Sequence, residues 1–108
     1  MGVEMKLAFQ QLANDSIYSN AIKKEASKQD SFLGLKSIKN ISGLVGEHLK
    51  ELGHHFSSKG EIEFITTNIL HYLYFKDKKE RDSFSTYLEL MSGYNGELSY
   101  KENLEKLT

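Results

Sequence analysis

Apolar residues recur along this chain mostly in steps of three and four. The clearest run is Leu35, Ile38, Ile41, Val45, Leu49, Leu52 and Phe56, a stripe of helical period. Gly43, Gly46 and Gly53 interrupt it, and each weakens a helix interior by roughly 1 kcal/mol relative to alanine. With Asn40-Ile41-Ser42-Gly43 as a break, the stripe predicts two helices, about 31–39 and 42–56.

The N-terminal segment 3–13 is two-sided. Val3, Met5, Leu7 and Phe9 alternate like a strand, whereas Met5, Phe9 and Leu12 follow helical spacing. Its glutamine and alanine content favours the helix. Asn14-Asp15-Ser16 then reads as a break with a new N-cap. A surface helix over 16–28 follows, with Ile17, Ala21 and Ile22 on its apolar side.

Residues 61–75, EIEFITTNILHYLYF, carry the strongest strand composition. Nine of the fifteen are β-branched or aromatic. Ile62 and Phe64 alternate with Glu61 and Glu63, as on a strand with one wet face. Turning at Thr67-Asn68, the segment predicts a hairpin of 61–66 and 69–75. The competing reading is a helix that starts at a Ser58/Glu61 capping box and is buried nearly all round.

Beyond it, Asp77-Lys78-Lys79-Glu80 is a capping-box pattern ahead of Phe84, Tyr87, Leu88 and Met91, with Gly93 as C-cap. A turn at Gly93-Tyr94-Asn95-Gly96 leads to a short last helix opened by Ser99-Tyr100-Lys101-Glu102, with Tyr100, Leu104 and Leu107 inward. The fold class expected is therefore α+β: a mostly helical single domain, 1–108, with a β-hairpin at about 61–75. An all-α bundle is the alternative.

Composition narrows the function classes. The 108 residues contain no cysteine, which removes thiolate chemistry and disulfides. Charge is balanced at −1, and thirteen lysines accompany a single arginine, Arg81. Nucleic-acid binding more often shows a basic patch and arginine forks. No run approaches the ~20 apolar residues of a membrane-spanning helix. The first fifteen residues hold no signal-like apolar stretch, and Lys6 stands where a myristoylation signal has Ser or Thr. A cytoplasmic protein with no membrane partner is expected.

Three of the four histidines fall in GEHLKELGHH, residues 46–55. On a helix, His48, Glu51 and His55 share one flank and His54 faces solvent on the other side. His48 and His55 are then about 10.5 Å apart along the axis, whereas a helical zinc pair sits one turn apart. Glu47 completes the cluster without improving the spacing. No metal or cofactor is expected, and a His48/Glu51/His55 ion site is the least favoured reading.

No nucleophile elbow, phosphate loop or dinucleotide fingerprint occurs, so the chain is not expected to be an enzyme. The favoured reading is a small interaction protein. Within 47–63, Glu47, Glu51, Glu61 and Glu63 stand against Lys50 and Lys59. Folded together and flanked by Tyr72 and Tyr74, these carboxylates would form an acidic, tyrosine-edged face for a basic protein partner such as a nuclease. A toxin-neutralising immunity protein is the most concrete form of such an inhibitor. The alternative is a nucleic-acid-binding regulator that stacks bases on Tyr72 and Tyr74 beside the lysines of 76–81. A homodimer is compatible with either.

Overall fold

The computed structural model describes residues 2–29, 35–75, 84–99 and 102–103. Its first helix, α1, spans Gly2–Asn14. Met5, Ala8, Phe9 and Leu12 are fully buried, while Val3 and Leu7 are 72% and 49% exposed. Burial thus follows the helical spacing and divides the alternating set that would have made a strand. Asp15 then caps α2, Ser16–Ala26, its side chain accepting the Ile17 N–H at 2.9 Å. The Ser19 hydroxyl donates to the Leu12 carbonyl at 2.8 Å and pins the corner between the two helices. Ile22 and Ala26 face inward, but Ile17, expected on the apolar side, is exposed.

The third helix, α3, runs Leu35–Glu51 without a break at Asn40–Gly43. Ile38, Ile41, Val45 and Leu49 are buried on one side. Each contributes roughly 1.5–3 kcal/mol, which outweighs the ~1 kcal/mol lost at each of Gly43 and Gly46. The two helices predicted over 31–39 and 42–56 are therefore one along the described residues. Its end comes earlier than the apolar run implies. Gly53 adopts φ +90°; its N–H donates to the Lys50 carbonyl at 3.0 Å, and the His54 N–H donates to the Leu49 carbonyl at 2.8 Å. That paired bonding is the Schellman ending that a left-handed glycine permits. Leu52 and Phe56 pack on the core from beyond the helix.

The predicted hairpin at 61–75 does not form. The segment is a single helix, α4, Lys59–Leu70, continued by a π-helical turn over His71–Phe75. Glu61 and every residue from Phe64 to Leu70 are buried. A helix enclosed on this scale loses its one-sided period, and β-branched and aromatic residues fill its surroundings as they would fill a sheet. Its polar residues turn back on the helix itself. Thr66, Thr67 and Asn68 donate to the carbonyls of Ile62, Glu63 and Phe64 at 2.7, 3.0 and 2.8 Å. Ser58 occupies the N-cap without a side-chain cap bond, so only its position fits the capping-box reading.

The fifth helix, α5, is Phe84–Ser92, closed by the Gly93 N–H on the carbonyls of Glu89 and Leu90. The Asp77–Glu80 cap, Tyr100, Leu104 and Leu107 lie outside the described residues. The Ser99/Glu102 pair does form: the Ser99 N–H donates to Glu102 Oε1 at 3.2 Å and the Glu102 N–H to Ser99 Oγ at 3.1 Å. The architecture is all-helical, with no strand among the described residues. Helix α1 touches the other four, α3 lies between α2 and α4, and α4 packs on α1 and α3. No helix among the described residues is long and apolar enough to cross a membrane.

Candidate interaction groove

Helices α3 and α4 are adjacent, and the seam between them opens into a groove of about 560 Å³. Gly43 and Gly46 form part of the α3 wall. A Cβ on Gly46 would stand 3.6 Å from the Ile62 side chain, so the two helices meet there. A Cβ on Gly43 would meet nothing within 4 Å, so the seam is open one turn earlier. Half-buried Phe56 and Ile62 give the groove an apolar floor. Lys39, Glu47 and Lys50 from α3, with Lys59 and Glu63 from α4, form its charged rim.

This arrangement brings together only part of the predicted acidic face. Glu47 and Glu63 line the same groove. Glu51 sits one turn beyond Glu47, and its carboxylate accepts the Tyr18 hydroxyl at 3.2 Å. Burial first, and then the Glu51 carboxylate, push the Tyr18 hydroxyl above the usual phenol range. Glu61 leaves the face altogether: it is 6% exposed. Burial, and after it the charge of Glu4, raise its carboxyl above the ordinary carboxylate range. Nearby, Tyr94 is pushed up by its own burial and then by the Glu61 charge, while a hydrogen bond with Ser58 acts the other way.

The tyrosines do not edge the groove either. Tyr72 joins an aromatic cluster, with ring centroids 6.0, 5.3 and 5.4 Å from Phe9, Phe84 and Tyr87. Tyr74 is more exposed, but its hydroxyl donates to the Lys23 carbonyl at 2.7 Å, and the Lys23 ammonium lies 5.9 Å from the ring centre. Burial raises its hydroxyl. The lysines of 76–81 lie outside the described residues.

The histidine cluster separates more completely than a continuous helix would require. His48 packs inward against Tyr18, with ring centroids 4.9 Å apart. Both its ring nitrogens are buried with no hydrogen-bond partner among the described residues. The chain leaves α3 before His54, so this residue does not face solvent as expected. It lies over α1, where Nε2 pairs with Gln11 Oε1 and Nδ1 comes within 3.9 Å of Glu4. His55 is exposed. No group of three or more metal-ligating side chains assembles among the described residues.

The groove residues that sequence reasoning did not place in a site are Lys39, Ser42, Gly43, Gly46, Phe56 and Ile62. Their signal was present in the glycines of the α3 stripe, which a break in the helix explained equally well. The chain matches no family model, no curated protein and no solved structure.

Proposed function

We propose that this chain is a non-enzymatic docking protein that holds a helical segment of a polypeptide in the α3–α4 groove. One observation carries the reading: an apolar floor of Phe56 and Ile62 lies under a charged rim, where α3 presents glycine instead of side chain. Helix-in-groove recognition uses these parts, with apolar contact for affinity and flanking charges for register. A toxin-neutralising inhibitor is one concrete form of such a protein.

The rim changes the partner expected from sequence. Lys39, Lys50 and Lys59 alternate with Glu47 and Glu63, which suits an occupant bearing both signs. A uniformly basic nuclease surface would meet three like charges there. The nucleic-acid reading has less support, because the Tyr72 ring is packed in the core cluster and the Lys23 ammonium lies over the Tyr74 ring.

A photo-crosslinking residue at the exposed rim position Lys59, compared with one at the exposed α2 position Lys24, tests the proposal in producing cells. A polypeptide adduct mapped by mass spectrometry at 59, and absent at 24, is expected. No adduct at 59 would overturn it.

A further inference from the structure

We propose that the segment held by the groove is α3 of a second copy of this chain, in a two-fold antiparallel pair that crosses at Gly43. The proposal rests on the docking reading and names its occupant. The exposed face of α3 is self-complementary in charge about Gly43. Lys39 stands four residues before it and Glu47 four after, each about 6 Å along the axis. Antiparallel pairing about that glycine sets Lys39 opposite the partner's Glu47, and Glu47 opposite the partner's Lys39. Both are exposed, and neither makes a salt bridge within the chain among the described residues.

The crossing point supplies the second observation. Glycine at 43 weakens α3 by roughly 1 kcal/mol, yet the fold leaves open space where its Cβ would be. Nothing among the described residues requires glycine there. Close approach of another backbone does. The apolar floor of Phe56 and Ile62 then lies beside the incoming helix.

The pattern also sets the angle. Lys36 and the partner's Lys50 fall seven residues from the crossing, about 10.5 Å out, and they carry like charge. Nearly aligned helices would bring these lysines together. A steeper crossing of about 50°, the commonest packing class, splays them apart while the Lys39–Glu47 pairs stay within reach. The pair is thus a crossed dimer and not a coiled coil.

Charge reversal tests this on the full chain by sedimentation velocity over a concentration series, with circular dichroism confirming that each variant is folded. The wild type is expected to dimerise. Lys39→Glu and Glu47→Lys, each alone, oppose like charges at two places and weaken self-association by roughly tenfold or more. The double variant restores it. An equimolar mixture of the two single variants forms a mixed dimer, because each then supplies what the other lacks. A wild type that stays monomeric throughout, a single reversal without effect, or a mixture that fails to associate would each overturn the proposal. If the chain is monomeric while position 59 still crosslinks to another polypeptide, self-pairing fails and the docking reading stands. If the chain is monomeric and no adduct forms, both fail.

Discussion

The Tyr18 ring lies 4.9 Å from the His48 imidazole, and the Tyr18 hydroxyl reaches over to the Glu51 carboxylate one turn along α3. The imidazole itself contributes packing without hydrogen bonds among the described residues. A buried polar group with no partner can be replaced by an apolar group of similar shape at little or no loss. We expect His48→Phe to leave urea stability unchanged or raise it by up to about 1 kcal/mol, whereas His48→Ala loses the ring contact and about 2 kcal/mol. A large loss with Phe would show that the ring nitrogens have partners in solution.

Much of the helical framework was legible because α1, α2 and α3 each keep one wet face. The α1 stripe of Met5, Phe9 and Leu12 and the Asp15 cap read correctly. So did the Ser99/Glu102 pair, since caps are local chemistry. Residues 61–75 failed for a tertiary reason. A helix enclosed by its neighbours has no polar face to set its period, and the residues that fill its surroundings are those that favour strands. Thr67 and Asn68 looked like a turn and are in fact bonded, with Thr66, to their own helix.

The candidate site was less legible than the framework. Glu47 and Glu63 were named, but the groove exists only because α3 lies beside α4, and sequence carries no direct mark of that adjacency. Glu61 alternates with Glu63 in sequence, yet the helix turns the first inward and the second to the groove. The histidines misled through position. Gly53 ends α3 early, so His54 and His55 lie beyond the helix on which they were placed.

Glu61 gives a pH dependence with a definite sign. Burial, then Glu4, raise its folded-state carboxyl above the unfolded value. Well below pH ~4, both states are protonated and the site has no effect. As pH rises toward the folded value, the unfolded chain loses this proton first, so the folded state is progressively disfavoured. Above the folded value the full penalty is present. Glu61→Gln should therefore be more stable than wild type at neutral pH, with the gain vanishing in acid. Parallel stability curves from pH 3 to 8, a range of roughly five units spanning the carboxyl region, would contradict this.

Asn103 holds the segment after α5. Its Oδ1 accepts the Asn95 N–H at 3.0 Å, and its Nδ2 donates to the carbonyls of Asn95 and Ser99 at 2.9 and 3.1 Å. The side chain is fully buried. We expect Asn103→Ala to lose about 2 kcal/mol, read by urea denaturation. Asn103→Asp keeps the acceptor but sets a carboxylate against those carbonyls, and should lose at least as much at neutral pH.

Gly43 within α3 and Gly53 just beyond its end should respond to alanine in opposite directions. Gly53 sits at φ +90° and carries the helix ending. Forcing a Cβ into the left-handed region costs roughly 1–2 kcal/mol, and Gly53→Ala should lose about that much. Gly43 lies mid-helix with open space where its Cβ would be, and alanine there removes the helix penalty of glycine. Measured dilute, where the chain stands alone, Gly43→Ala should gain up to about 1 kcal/mol. Measured concentrated, the same substitution should weaken self-association, because the added methyl separates the crossing backbones. Denaturation followed at two protein concentrations separates the two effects. A gain of equal size at both would mean that no second backbone approaches Gly43.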